Sequence, residues 1–315
     1  MSRHFRRDNT TMFFDPAAAA IAEVAPGERF TVETLDSLCG LAKRTTPQGW
    51  HIDDVVDRLG GACPLTGPFH ITGAQAGDVL EVELHVVSAD PPEGQAWTAV
   101  LAGFGALSSD AYSIQPALTP ETQLVPYRDG IAQLPARGGH VAIPMTPFLG
   151  TLGVAPRWER RMSFSQSPEY LGDVDLPAIG PGATVVLPVN VNGGLLALGD
   201  AHAAQGDGEI TGAAIEIEAI VELSVQVRHR ADTDFASLPQ VNTEAFIGSV
   251  AGLQGSSLSD CARAAYVDLL HRLVRNYRFS QTEAYELLGQ VGRLSIGNMI
   301  DPFYSVLASI ERVYL

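Results

Sequence analysis

Residues 215–228 read IEIEAIVELSVQVR, and this stretch decides the fold class. Its apolar residues recur at every second position from Ile215 to Val227, whereas the positions between them are mostly charged or polar. Side chains alternate between the two faces of a strand, so this period of two is typical of an antiparallel sheet with one buried face. The run is longer than an ordinary strand, and we therefore expect a bend or bulge inside it.

The same alternation occurs in residues 79–87, where every second position from Leu80 to Val86 is predicted to face the core. Turn glycines precede this strand and two other predicted strands, at Gly77, Gly27 and Gly182. Altogether 31 glycines and 20 prolines separate short apolar runs. The chain is therefore predicted to be mainly β, a β-sandwich of antiparallel strands.

The pattern becomes helical after about residue 255. Residues 257–276 carry an apolar stripe at helical spacing, and Ser280 to Glu283 form a capping-box sequence that predicts a second helix. Asp301 and Pro302 predict the start of a last short helix. The predicted stripe consists of Ala264, Val267, Leu270 and Leu273.

This change divides the chain into two predicted regions. Residues 1–255 are expected to form the β-sandwich core, and residues 256–315 a helical C-terminal segment that packs on it. Within the core region, residues 230–245 are predicted to be a loop.

Composition limits the possible partners. The 315 residues are 46% hydrophobic and 18% charged, with a formal net charge of −16. This balance argues against nucleic-acid and anionic-membrane partners, which require a basic surface. No apolar stretch is long enough to span a bilayer, and no apolar signal core follows the basic N-terminus. We therefore expect a cytoplasmic protein that forms a homodimer.

The segment from Gly199 to Glu209, GDAHAAQGDGE, is the richest in chemistry-bearing residues. Asp200 and His202 are two apart and would share one face of a strand, as would Asp207 and Glu209. If residues 203–206 form a hairpin turn, three carboxylates and one imidazole converge. The alternative is a solvated turn with ordinary polar residues.

Converging carboxylates repel one another unless a cation compensates them. Mixed imidazole and carboxylate ligands suit zinc, iron or manganese, whereas sites made of oxygen alone suit calcium. A bound metal would activate water and polarise an amide carbonyl, and a spare carboxylate could move protons.

The segment from Gly199 to Glu209 resembles the signature of the acetamidase/formamidase family, approximately G-D-x-H-A-x-Q-G-D-G-E, at every defined position. Four further blocks agree in order along the chain, so the resemblance spans roughly residues 20 to 305. These blocks are Thr66–Phe69 with Gly73–Asp78, Trp97–Ala99 with Gly103–Gly105, Pro147–Pro156, and Ser280–Tyr285.

This resemblance implies a β-rich metal enzyme that hydrolyses short linear amides, such as formamide or acetamide, to a carboxylic acid and ammonia. Zinc is the favoured ion and calcium the alternative. The implied metal ligands are Asp36, Asp200, His202 and Glu209, with Glu209 and Asp207 as the catalytic proton carriers. Asp36 enters because residues 33–36 resemble an early family element.

One stretch departs from the family pattern. The family usually shows G-G-N-x-D before one of its turns, whereas this chain has Gly172-Asp173-Val174-Asp175 at the end of the matching segment. Asp175 matches the last acidic position, but Asp173 stands where asparagine is usual. An extra carboxylate there would alter amide recognition or metal affinity.

Other classes of enzyme and of metal-binding protein fit the sequence less well. The chain has no G-x-S-x-G elbow and no H-E-x-x-H helix, and none of its three cysteines lies in a sequence setting that predicts an activated thiol. A cupin-like metal oxygenase would show H-x-H, but Asp200 stands first here. A non-catalytic metal-binding β-sandwich would favour oxygen ligands for calcium, so His202 counts against it.

Overall fold

The computed structural model describes residues 3–44, 52–108, 114, 116–232, 235, 237–300 and 302–315. The strands within these residues are β1 (Arg3–Phe5), β2 (Thr10–Thr11), β3 (Phe13–Phe14), β4 (Ala22–Val24), β5 (Arg29–Thr34), β6 (Leu65–Ile71), β7 (Val79–Ala89), β8 (Gly94–Val100), β9 (Glu121–Arg128), β10 (Ile131–Ala136), β11 (Gly139–Pro144), β12 (Phe148–Gly153), β13 (Arg161–Met162), β14 (Gln166–Ser167), β15 (Leu171–Asp173), β16 (Thr184–Pro188), β17 (Leu196–Ala204), β18 (Ile215–Ile217), β19 (Ala219–Arg228), β20 (Gln240–Asn242), β21 (Phe246–Gly252), β22 (Arg293–Ile300) and β23 (Phe303–Glu311). The helices are α1 (Leu41–Arg44), α2 (Ile52–Leu59), α3 (Leu258–Asn276) and α4 (Gln281–Val291), with short 3-10 turns at Arg230–Asp232 and Arg312–Tyr314. None of these helices has both the length and the apolar character that crossing a membrane requires.

Two large sheets contain most of the described strands. The first has nine strands in the order β1-β5-β19-β7-β16-β20-β21-β23-β22. The second has twelve, of which nine follow the order β11-β10-β9-β8-β18-β17-β12-β15-β14, and β6 joins β2 and β4 to β17. Only the pairs β1–β5 and β4–β6 are parallel among the described strands. The predicted mainly antiparallel β fold is therefore confirmed.

The stretch 215–228 is shared between the two sheets. It breaks at Glu218, so that β18 belongs to the second sheet and β19 to the first. The register of β19 against β7 also shifts between Glu222 and Leu223, opposite His85. The expected bend is confirmed. The shift also changes which side chains of β7 are buried, because Val86 is 39% exposed instead of facing the core, and Val87 is buried in its place.

One apolar core lies between the two sheets. Phe30 of β5 and Phe69 of β6 meet across it with ring centroids 5.2 Å apart, and both side chains are fully buried. Burying a side chain of this kind contributes roughly 1.5–3 kcal/mol. The core therefore fixes the position of β17, which pairs with β6 and carries the candidate site.

Helices α3 and α4 confirm the two predicted helices, and both begin with a capping box, at Ser257 and Ser280. The predicted stripe on α3 is correct at Leu273, which is buried, and wrong at Val267, which is 53% exposed. The helix instead buries a face that includes two charged residues. The buried residues of α3 are Cys261, Ala265, Asp268, Leu269, Arg272 and Leu273.

Hydrogen bonds explain why α3 can bury charge. The Asp268 carboxylate accepts hydrogen bonds from the backbone N–H of Leu238 and from the hydroxyl of Ser249, and the Arg272 guanidinium donates to the carbonyl of Gly248. A buried charge is tolerated where its hydrogen-bonding capacity is met. The spacing of apolar residues carries no information about such hydrogen bonds. The sequence pattern therefore predicted a buried face next to the one that contains Asp268 and Arg272.

The C-terminal region also contains strands that were not predicted. Residues 303–311 form β23, which pairs with β21 over seven residues, where a last short helix was predicted from residue 301. Residue 301 itself lies outside the described residues. Within the predicted loop at 230–245, β20 forms at Gln240–Asn242. The boundary between residues 255 and 256 stays a prediction, although β22 and β23 extend the first sheet.

Candidate metal centre and active site

The candidate site lies on the hairpin of β17 and β18. Asp200 and His202 belong to β17, and Glu216 of β18 lies directly opposite His202 in the ladder. β12 pairs with the other side of β17, and β15 pairs with β12. Asp173 closes β15, two residues before Asp175. Four neighbouring strands thus converge on one buried point.

The hairpin is wider than predicted. β17 continues through Ala204, and the connection covers residues 205–214 instead of a turn at 203–206. Asp207 and Glu209 therefore lie in the connecting loop and not on a returning strand. The strand that returns beside Asp200 and His202 carries Glu216 instead.

The structure brings three of the predicted residues together and separates two. Asp200, His202 and Glu209 are buried and line one cavity. Asp207 is exposed and lines a different depression on the protein surface.

Asp36 is buried but engaged elsewhere. Its carboxylate accepts a 2.7 Å hydrogen bond from the N–H of Gly40 and lies 3.3 Å from the ammonium group of Lys43. The neighbouring Ser37 reaches the site in its place, because its hydroxyl donates a 2.7 Å hydrogen bond to Glu216. The expectation that Asp36 contributes a carboxylate to the cluster is therefore not met.

Glu216 was missed as a site residue, and Asp173 and Asp175 were noted only as a departure from the family pattern. Glu216 accepts hydrogen bonds at both oxygens, from Ser37 and from the N–H of Ala214. The sequence pattern places Glu216 on the face opposite Ile215 and Ile217, but it predicts only one buried face, whereas all three side chains are buried. Its pairing with His202 depends on the length of the intervening loop, which no local pattern specifies.

Gln205 fixes the orientation of the His202 ring. The amide nitrogen of Gln205 donates to the backbone carbonyls of Asp175 and Gly297, at 2.7 and 3.1 Å. Because both partners are pure acceptors, its amide oxygen is left to face Nδ1 of His202, at 2.8 Å. Nδ1 therefore carries the proton, and Nε2 is free to face the carboxylates or a metal ion.

His202 Nε2 lies between two carboxylates. It is 3.5 Å from the nearest oxygen of Asp200 and 3.5 Å from that of Glu216. Burial lowers the pKa of His202, but Glu216 and Asp200 outweigh this effect and raise it well above the ordinary value. These two carboxylates therefore favour a second proton on the ring, at Nε2, when no cation is bound.

Burial and neighbouring charges also shift the pKa values of the carboxylates in the cluster. Burial raises the pKa of Asp175 to about 7 and that of Glu216 to about 8. Burial and the charge of Asp175 raise the pKa of both Asp173 and Glu209 well above the ordinary value. Asp200 differs, because burial raises its pKa but His202 outweighs that effect and lowers it. The cluster thus gathers more negative charge than it can hold unneutralised.

The donor set fits a divalent cation. His202 belongs to two groups of potential ligands, and within each group the ligand atoms lie within 4.8 Å of one another. One group contains Asp175 and Asp200, and the other contains Glu209 and Glu216. In addition, Oδ1 of Asp200 is buried and has no hydrogen-bond partner among the described residues. A buried carboxylate oxygen without a partner is costly unless a cation occupies the space beside it. These residues would therefore hold the metal ion that the sequence predicts.

Cys63 belongs to a third such group, with Asp173 and Asp200. Burial, and then the charges of Asp200 and Asp173, raise the pKa of its thiol well above the ordinary value. A thiolate is the nucleophilic form of cysteine, and the neighbouring carboxylates disfavour it at Cys63.

Gly150 of β12 lies directly against the cluster. A Cβ at this position would stand 2.6 Å from a carboxylate oxygen of Asp175, 2.7 Å from one of Asp200 and 2.9 Å from the His202 ring. The carbonyl of Gly150 also accepts the backbone N–H of Asp175, which ties β12 to the segment that follows β15. Glycine is needed here for space and not for its backbone conformation.

We expect Gly150→Ala to disorganise the cluster without unfolding the chain. The added methyl group must displace Asp175, Asp200 or His202, and a displacement of about 1 Å at a catalytic group can cost about 10²-fold in rate. Activity and bound metal should both fall, whereas the far-UV circular dichroism spectrum should stay unchanged. Gly206→Ala is the matched control, because a Cβ there meets nothing within 4 Å. Normal metal content in Gly150→Ala would contradict this account.

The cluster forms part of the lining of a cavity of about 350 Å³. Its other walls are mainly apolar and come from several separate segments. The apolar lining residues include Trp97, Leu101, Phe104, Phe164, Ile300 and Phe303. Glu209 lies between this cavity and the outer depression that Asp207 lines.

Fold and site together define a β-sandwich protein with a candidate metal centre at the base of a cavity. A sequence model of the acetamidase/formamidase family matches residues 3–169 and 165–302. The chain therefore belongs to the acetamidase/formamidase family of amidohydrolases, which confirms the resemblance seen in the sequence.

Individual relatives agree with this assignment. The chain is 29% identical to an acetamidase from Bacillus halodurans, with a TM-score of 0.86 over 99% of this chain and 98% of that one. It is also 29% identical to an acetamidase from Yersinia enterocolitica, with a TM-score of 0.87 over 100% of this chain and 93% of that one. A formamidase homologue from Schizosaccharomyces pombe is 26% identical over 222 residues, which are 55% of this chain. The match spans about half the length of that relative, 53%.

Proposed function

We propose that this protein hydrolyses the C–N bond of linear amides to a carboxylate and ammonia, with a divalent metal ion in the cluster around His202. In this reaction water supplies the oxygen of the new C–O bond, and the nitrogen leaves with a proton. The observation that carries the proposal is a buried group of carboxylates around one oriented imidazole, on the wall of a cavity. Family membership supports the same reaction.

The metal ion would be held by Asp200 and His202, with Asp175 and Glu216 as further donors. When bound, it supplies Lewis-acid polarisation of the amide carbonyl and of the attacking water. Zinc is favoured because one donor is an imidazole nitrogen, and calcium is the alternative because the other donors are oxygens.

Glu209 is assigned the proton transfer. It lies in the loop between the strands, is buried and lines the cavity. No hydrogen bond between described residues involves its carboxylate, whereas both oxygens of Glu216 are engaged. A carboxylate in this position can take a proton from water and deliver it to the leaving nitrogen. The exposed position of Asp207 supports Glu209 over Asp207 for this role.

We expect removal of the metal ion to abolish most of the activity. Protein purified without chelator should contain a stoichiometric metal by elemental analysis and release ammonia from formamide or acetamide. Dialysis against a chelator should remove both properties, and zinc, or else calcium, should restore them. The melting temperature should rise with added metal, since binding at 100 times Kd stabilises the fold by about 2.7 kcal/mol. A metal-free protein with full activity would refute the proposal.

The same assay separates two other functions. A cupin-like metal oxygenase would consume oxygen with its substrate, and a binding protein would take up a ligand in a metal-dependent way without turnover. Ammonia release without oxygen consumption supports the amidohydrolase over both.

We also propose that the protein is a cytoplasmic homodimer without nucleic-acid or membrane partners. The net charge of −16 supports the absence of such partners. β11 is an edge strand of the second sheet and exposes Val141, and an open edge can pair with another chain. Light scattering coupled to size-exclusion chromatography tests the dimer, and a monomer at micromolar concentration would contradict it.

A further inference from the structure

The cavity is much larger than the simplest amides require. Its volume is about 350 Å³, whereas an apolar cavity of about 150 Å³ is enough to hold a benzene ring. Formamide and acetamide are both smaller than benzene. Either molecule would therefore leave most of the cavity to water, including the part with apolar walls.

The walls away from the cluster are apolar. Phe164 and Phe303 meet edge to face, with ring centroids 6.3 Å apart. Leu101 and Ile300 are buried, and both line the same space. Small-molecule sites combine apolar walls with a few polar groups that orient the ligand, and here the polar groups are those of the cluster.

From this combination we infer the substrate class: primary carboxamides whose acyl group is apolar and contains six or more carbons, in a straight chain or a ring. The amide group would lie at the cluster and the acyl group along the wall that includes Leu101, Phe164 and Phe303. This inference rests on the proposed function. Each methylene group that enters the apolar part of the cavity should raise kcat/KM about four-fold.

A homologous series of amides tests the inference. We expect kcat/KM to rise from acetamide to hexanamide by roughly 250-fold over four methylene groups, and benzamide to be a good substrate. If acetamide or formamide is preferred, the inference fails while the proposed function stands. If no amide releases ammonia, the proposed function itself fails. If N-hexylformamide is preferred to hexanamide, the apolar wall serves the amine side and the acyl assignment is overturned.

Two variants change the cavity in opposite directions. Ala62→Leu should shrink it and lower the hexanamide-to-acetamide ratio of kcat/KM at least about 10-fold, the lower range for one group in a pocket. Leu101→Ala should enlarge it and move the preference to longer amides. Calorimetry provides a readout apart from turnover, since hexanoate should bind with a more negative heat-capacity change than acetate. Unchanged ratios in both folded variants would overturn the inference.

A second, independent observation concerns Trp97. Its side chain is buried and lines the cavity, and its indole N–H has no hydrogen-bond partner among the described residues. Trp97 also pairs directly with Glu216 in the ladder between β8 and β18, which places it next to the cluster. A buried donor without an acceptor is unfavourable, and a bound ligand can supply the acceptor.

The structure assigns Trp97 a role in binding substrate: its indole N–H donates a hydrogen bond to the oxygen of the amide carbonyl. This bond would orient the carbonyl group towards the metal ligands. Because the donor acts on the amide itself, its contribution should be the same for short and long acyl groups.

Trp97→Phe tests this role, since it keeps an aromatic wall and removes the donor. We expect kcat/KM to fall about 10-fold or more, equally for acetamide and hexanamide. In ¹⁵N-labelled protein, the indole resonance that disappears in this variant should shift when hexanoate binds. Trp158, which is 84% exposed, is the matched control, and Trp158→Phe should behave like the parent protein. An indole resonance of Trp97 that does not move on binding would refute the assignment.

Discussion

Asp200→Asn is expected to lower kcat/KM for amide hydrolysis by about 10³-fold, because a metal ion contributes several kcal/mol to the transition state. Asp200 belongs to two of the three groups of potential ligands and carries the unpartnered oxygen Oδ1. The substitution removes a negative charge but keeps the shape of the side chain. The bound metal should be lost together with the activity.

The backbone conformation at residue 200 accommodates asparagine without strain. Asp200 has a φ of 53°, in the left-handed region, where asparagine is among the best tolerated residues. The asparagine oxygen can still accept the hydrogen bond that Thr151 donates to Asp200. The variant should therefore fold, and its circular dichroism spectrum should match that of the parent.

Asp36→Asn provides a matched comparison. Asp36 is buried like Asp200, but it is held by Gly40 and Lys43 and is absent from the cavity lining. This variant should lose stability and keep its metal. Asp200→Asn with full metal content and normal turnover would remove the cluster from the chemistry. Metal loss in Asp36→Asn would restore the original sequence prediction.

Local periodicity predicted the strands well and their assembly less well. The alternation in 215–228 follows from the geometry of a single strand, so it could be found in the sequence alone. The bend at Glu218 was expected from length, but its consequence was not: the two halves enter different sheets. Which sheet a strand joins depends on contacts between distant residues, and these leave no local pattern.

The candidate site shows the same limit. Asp200, His202 and Glu209 were found because they share one short motif, and the structure places all three in one cavity. Glu216 reaches His202 only across a ten-residue loop, and Asp175 reaches it from another strand pair. Long-range pairing of this kind is set by the shared core rather than by spacing along the chain.

Asp36 was predicted to be a metal ligand from its motif, but the structure places it outside the cluster. Its acidic type and its position in a family-like element suggested a ligand, but Lys43, seven residues later, provides a local partner. Two backbone N–H groups donate to Oδ1 of Asp36, and its Oδ2 lies beside the ammonium group of Lys43. Ser37 was not noticed because a single hydroxyl carries no charge pattern.

Glu209→Gln is expected to reduce kcat by about 10²–10⁴-fold, the range for loss of a positioned acid–base group. Glutamine has the size of glutamate and can still donate or accept hydrogen bonds, but it cannot carry a proton between water and nitrogen. KM should change little, since the substrate-binding walls are untouched. Steady-state kinetics on one amide, together with elemental analysis, measures both effects.

Asp207→Asn is the natural control, two residues away in the same loop. Asp207 is exposed and outside the cavity, and surface substitutions usually change free energies by no more than about 0.5 kcal/mol, a factor of about two in rate. If Asp207→Asn is the variant that loses turnover, the proton transfer belongs to Asp207, and the loop must move to bring it inward. If Glu209→Gln loses its metal along with its activity, Glu209 acts as a ligand. Only loss of kcat with the metal retained identifies it as the group that moves the proton.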